Sequence, residues 1–132
     1  MAGYVDGFVL PLPRKSIEAY RRLAELGAKV WMEHGALEYR ECVGEDLAVK
    51  FGLPFPRGLK VGRGETVVFA WIIYRSRAHR DRVTAKVMKD PRLAGTASQM
   101  PFDPARMLWG GFEVLVQGKP ARKRAPGRRP AR

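Results

Sequence analysis

The residues that build most metal and redox sites are nearly missing from this chain: 132 residues contain one cysteine, Cys42, and two histidines, His34 and His79. A lone thiol can close no intramolecular disulfide and form no dithiol pair, and two distant histidines without a carboxylate at ligand spacing do not make a metal site. Neither a metal nor a cofactor is expected. Long apolar runs are missing too, the longest being residues 67–74, far short of the roughly 18 residues that a membrane-spanning helix needs. No basic segment opens the chain, and Asp6, Pro11 and Pro13 break its first apolar stretch, so a secretory signal is not expected. Together with the unpaired thiol this suits the reducing cytoplasm. The Gly-x-Gly-x-x-Gly fingerprint, the Walker loop and the Gly-x-Ser-x-Gly elbow are all absent.

Acidic residues are absent from one end. Residues 119–132 consist only of Lys, Arg, Pro, Gly and Ala and carry seven of the 25 basic groups, which leaves 18 basic against 13 acidic residues, or +5, before them. With no large apolar side chain this stretch has nothing to bury, and it reads as a basic disordered tail behind a single domain over residues 1–118. The formal charge of +12 suggests nucleic acid, but more than half of it belongs to the tail. The tail could neutralise phosphates without sequence preference, or serve only as a solubilising extension; it has no aromatic side chain for base stacking.

What is present is a clear alternation of strands and helices. Residues 4–10 alternate, placing Tyr4, Asp6, Phe8 and Leu10 on one face, before Pro11 and Pro13. Over residues 14–34 the apolar positions recur at spacings of three and four, which predicts a helix closed by Gly35. Residues 37–43 alternate with one largely polar face, as an edge strand does. Residues 44–65 are broken by seven glycines and prolines into a long loop. Residues 66–74 are apolar on both faces. Ser76 is a fitting N-cap for a second helix to about Lys89, stopped by Asp90-Pro91. Residues 92–105 read as irregular, and residues 106–116 as a last strand containing Gly110-Gly111.

This order gives an α+β class and the ferredoxin-like β-α-β-β-α-β pattern with an antiparallel sheet. Two helices cover one face of such a sheet, so the doubly apolar strand at 66–74 asks for a second cover, and a homodimer with sheets packed face to face is expected.

The chain resembles the YbaA-like family of bacterial proteins in the runs Tyr4-Val5-Asp6-Gly7-Phe8, Glu33-His34-Gly35-Ala36-Leu37-Glu38-Tyr39, Ser76-Arg77-Ala78-His79-Arg80-Asp81, Met100-Pro101-Phe102-Asp103 and Gly110-Gly111-Phe112-Glu113-Val114. The resemblance implies a dimeric α/β barrel and no established activity. Residues 47–53 and the tail look unlike the family pattern. The wider barrel group includes cofactor-independent monooxygenases, isomerases and ligand-sensing domains, so fold alone does not choose among them.

The candidates for chemistry are few. Asp6 shares a covered face with Tyr4 and Phe8 and is either a pocket acid or base, or half of an ion pair with a residue such as Arg40 or Arg106. His34 at a helix end is either a base or a partner of the last carbonyls. His79, with Arg77 and Arg80 at the start of the second helix, reads equally as an anion site and as a charged turn in which Arg77 pairs with Asp81. Tyr4 and Trp71, with Arg77 and Arg106, are the candidate ligand-binding side chains, although aromatic residues more often belong to the core. The expected function is small-molecule binding by a dimeric barrel, as a binding protein or as a cofactor-independent enzyme of monooxygenase or isomerase type; the alternative is nucleic-acid or anion binding through the tail.

Overall fold

The computed structural model describes residues 3–121. Strand β1 (Tyr4–Pro13) leads through a 3-10 turn into helix α1 (Ile17–Glu33), followed by strand β2 (Glu38–Val43), a short helix α2 (Phe55–Gly58), strand β3 (Glu65–Tyr74), helix α3 (Arg77–Met88) and strand β4 (Leu108–Glu113). The sheet order is β2-β3-β1-β4 with every pair antiparallel. This is the α+β ferredoxin-like arrangement expected from the alternation, with β2 on an edge as its polar face predicts.

The register assigns each side chain to a face. Tyr4 pairs with Tyr74, Asp6 with Ile72, Phe8 with Ala70 and Leu10 with Val68, and these residues lie on the side covered by α1 and α3. Two buried clusters fill that side: Tyr4, Val30, Ile72, Tyr74, Val83 and Val87 at one end, and Leu10, Leu12, Tyr20 and Val68 at the other. Each such aliphatic side chain contributes roughly 1.5–3 kcal/mol when fully buried. The opposite face carries Val5, Val9, Phe69, Trp71, Ile73, Leu108 and Phe112, with Phe69, Leu108 and Phe112 about half exposed. Phe55 of α2 leans over its end against Phe69, ring centroids 6.2 Å apart.

Local chemistry explains the boundaries. Gly35, at φ +115°, follows α1 while Ala36 N–H reaches back to the Trp31 carbonyl and Gly35 N–H to that of Met32, a Schellman closure. Ser76 caps α3 by accepting from His79 N–H at 3.1 Å. Strand β4 is shorter than the expected 106–116, because Pro104–Arg106 form a 3-10 turn and the last rung beyond the strand is Val114 N–H to the Gly3 carbonyl. Gly111 lies under the Tyr4 ring, where any Cβ would overlap the phenol, so the close approach expected of the Gly110-Gly111 pair is real. Residues 92–105, read as irregular, are crossed by three short 3-10 turns (Pro91–Leu93, Thr96–Gln99 and Pro104–Arg106), and the loop at 44–65 contains α2. The basic tail falls largely outside the described residues, from 122 onward.

Candidate functional site

A polar cluster interrupts the apolar layer between α1 and β2. Tyr39 and Glu41, two apart on β2, point to the helix side, and Tyr20 reaches down from α1. The Tyr20 hydroxyl donates to Glu41 Oε1 at 2.6 Å and the Tyr39 hydroxyl to Oε2 at 2.7 Å. Burial first, and then the Glu41 charge, push both phenols far above their ordinary range, so they stay protonated and keep donating. Helix α1 makes room for this with a glycine in its interior, a choice that costs about 1 kcal/mol relative to alanine. A Cβ on Gly27 would lie 2.9 Å from the Tyr39 hydroxyl oxygen.

Two cavities flank the cluster and share Tyr20, Ala24, Tyr39 and Glu41 as walls. One, about 220 Å³, lies between α1, the sheet and the 93–107 segment, lined by Phe8, Leu23, Trp31, Met100, Phe102 and Met107. The other, about 250 Å³, opens at the β2 edge beside Ile17, Ala28 and Val43. Both are near the small end of ligand sites in general, and the first is predominantly apolar with a few polar groups converging on one point.

Of the residues singled out in the sequence, Tyr4 and Asp6 come together around Arg80, Trp71 borders the first cavity from the sheet, and the others lie apart from one another. Asp6 is buried and takes Arg80 Nη1 at 2.7 Å, so its partner is Arg80, and neither Arg40 nor Arg106. Burial holds its carboxyl above the usual range, against the opposing pull of Arg80 and of a hydrogen bond from Tyr74. Arg80 lies over the Tyr4 ring, 5.0 Å from its centroid, and also takes Asp81 at 2.7 Å, the carboxylate expected to pair with Arg77. Tyr74 accepts from Trp31 Nε1 at 3.1 Å, and its phenol is pushed up to about 12 by burial and by Asp6. His34 bonds Asp90 at 2.8 Å, and Arg92 ties the same carboxylate to Glu33, closing the end of α1 onto the turn after α3. Hydrogen bonds from Arg92 and His34 hold Asp90 well below the usual range. Arg106 grips Glu65 through two bonds of 2.8 and 3.0 Å and also the Lys60 carbonyl, fastening the 44–65 loop. Trp71 faces the open side and donates to Glu38 at 2.6 Å. Arg77 is exposed at the start of α3.

His79 is buried, accepting from Arg75 N–H on Nδ1 at 2.9 Å and hydrogen-bonded to the Gly35 backbone through its other nitrogen. Desolvation, with Arg75 and Arg82 nearby, lowers its pKa from 6.5. The folded protein therefore binds this proton less readily than the unfolded chain does, so the contribution to stability is full above about pH 6.5 and is lost as pH falls through the lower folded value. Urea unfolding at pH 7 and pH 5 should show a smaller acid loss in His79→Asn, which keeps an acceptor for Arg75 N–H, than in the unsubstituted protein. An equal loss in both would remove His79 as the cause.

Tyr20, Tyr39 and Glu41 had one signal in the sequence, the alternation at residues 37–43 that put Tyr39 and Glu41 on the same side of β2. Nothing local marked that side as the covered one. Among the described residues no group of three or more His, Cys, Asp or Glu side chains could hold a metal ion, and no helix is long and apolar enough to cross a membrane.

Comparison with known proteins gives a family without an activity. The model of a family described as "Protein of unknown function (DUF1428)" matches residues 3–104. Proteins named "Uncharacterized protein YbaA" from Escherichia coli K12, Escherichia coli O157:H7 and Shigella flexneri are each 41% identical over 113 residues, 86% of this chain and 97% of theirs. Among solved structures, a dimeric ferredoxin-like protein from an uncultured marine organism superposes with a TM-score of 0.53 at 11% identity, covering 90% of this chain and 99% of that one. At that identity the match speaks for the fold alone.

Proposed function

The chain belongs to the DUF1428 family, and from that premise we propose that it is a homodimeric protein that binds a small organic molecule in the cavity between α1 and the sheet. The observation that carries this is the pairing of an aromatic and aliphatic cavity of about 220 Å³ with a single polar point, Glu41 held by two tyrosine hydroxyls. Glu41 is partly buried, and a packed core seldom sets such a carboxylate beside an unfilled space, because taking charge out of water is costly unless it is well hydrogen-bonded. The ionisable groups here favour binding over proton transfer: both phenols stay protonated, and Asp6, His34 and His79 are each engaged in contacts away from the cavity.

The dimer is the other half of the proposal. A face that leaves Phe69, Leu108 and Phe112 half exposed beside Val5, Val9 and Ile73 is a large apolar patch for a monomer. A second copy is its simplest cover, since a two-fold axis sets the same patch of each copy against the other. The ferredoxin-like protein of similar fold is itself described as dimeric.

The cavity is tested by filling it. Ala24 borders both spaces, and Ala24→Leu puts a larger side chain at their shared wall and should reduce the room for a ligand. Screening small aromatic fragments by nitrogen-proton correlation spectra should give saturable shifts in the unsubstituted chain and clearly weaker ones in Ala24→Leu, whose spectrum should keep the dispersion of the folded protein. Binding of unchanged strength in Ala24→Leu would place the site elsewhere.

A further inference from the structure

The hydrogen-bond inventory of the cavity names the kind of molecule it takes, and this inference rests on the cavity reading above. Each tyrosine hydroxyl has one hydrogen, and both are committed to Glu41. Trp31 Nε1–H is committed to Tyr74, and the Thr96 hydroxyl to the Leu93 carbonyl at 2.8 Å. What these side chains still offer is acceptors only, two phenol oxygens and the remaining lone pairs of a carboxylate, while Arg40, also at the wall, belongs to the opposite face of β2 and is paired with Glu38 at 3.3 Å. No Lys or Arg ion pair neutralises Glu41 among the described residues. Arg21, at the mouth of the outer cavity, is an exposed side chain bound to Glu18 at 3.1 Å.

Around this acceptor point stand aromatic rings. Tyr20 meets Phe102 edge to face at 5.9 Å, and Trp31 meets Tyr39 at 6.0 Å, so two ring pairs wall the space beside the carboxylate. Ring faces attract cations, and a partly buried carboxylate with free lone pairs binds a charged donor more strongly than a neutral one. We propose that the cavity binds a small organic amine in its protonated form, with the ammonium on Glu41 and the phenol oxygens and the apolar part among Phe8, Trp31, Phe102 and Met107. Glu41 repels an anion, and a neutral molecule would forgo the charge-assisted contact with it. The size fits a single ring with a short arm, since an apolar cavity of about 150 Å³ is enough for benzene.

The test compares three probes of one shape, benzylamine, benzyl alcohol and benzoate, titrated into the full chain and followed by amide shifts. Benzylamine should bind about tenfold or more tighter than benzyl alcohol, the worth of one charge-assisted contact, and benzoate should not bind. Glu41→Gln keeps an oxygen for a tyrosine hydroxyl and removes the charge, so it should narrow the preference for amine over alcohol to less than about threefold. Tyr39→Phe keeps the charge and should retain the preference. If the alcohol binds as tightly as the amine, the choice of ligand class is overturned while the cavity reading stands. If none of the three binds, both are overturned.

Discussion

Arg80→Met is expected to lower folding stability by about 3–5 kcal/mol, because it strands Asp6 as an unpaired charge in a site with almost no access to water. The loss exceeds anything predicted for a surface ion pair, which contributes about 1 kcal/mol or less. Arg80 also covers the Tyr4 ring, so its removal opens the end of the core at which Tyr4 crosses Gly111. The second substitution separates charge from packing: Asp6→Asn with Arg80→Met removes both charges and should recover most of the lost stability in urea unfolding at pH 7. The direction with pH follows from the raised Asp6 carboxyl. A group protonated more readily in the folded state gains stability as pH falls, so Arg80→Met should become relatively more stable toward pH 4. A single variant within about 1 kcal/mol of the original would mean that Asp6 is neutral or solvated in the fold.

Phe69→Asp and Phe112→Asp are expected to turn the proposed dimer into monomer. Both side chains sit on the open face, and a carboxylate desolvated between two sheets costs several kcal/mol, equivalent to at least about a hundredfold weaker association. Sedimentation velocity at micromolar concentration should show twice the chain mass for the original and a single chain mass for the variants. The helix-side core should survive in both, seen as unchanged protection of Val30 and Val68 amides from hydrogen exchange. A monomeric original protein would refute the dimer, leaving the open face to a different cover.

Most of the fold was legible because its signals are local. Residues 66–74 declared a central strand by being apolar on both sides, Gly35 and Ser76 marked helix ends with residue types that suit them, and the order of elements left little choice of topology. The end of β4 was not legible. It stops at Glu113 because β1 begins at Tyr4, a limit set by the partner strand and not by residues 114–116. The site was hidden for the same reason. Asp6, His34 and His79 attract attention as rare or buried polar residues, yet each is taken up by a partner distant in sequence, Arg80, Asp90 and the Gly35 backbone, and His79 also by the nearby Arg75 N–H. Glu41 is, in the sequence, one charge among several in the 37–43 edge strand, and the approach of Tyr20 from α1 gives it a protected side. Gly27 belongs with it, a helix-interior glycine whose reason lies in the Tyr39 hydroxyl opposite.

The most direct measurement is where a bound molecule sits. Isotope-filtered nuclear Overhauser spectra of the protein saturated with benzylamine should show ring protons contacting Tyr20, Tyr39 and Phe102, the walls of the cavity beneath α1. Contacts confined to Phe69, Phe112 and Leu108 would place the ligand on the open face of the sheet and contradict the account.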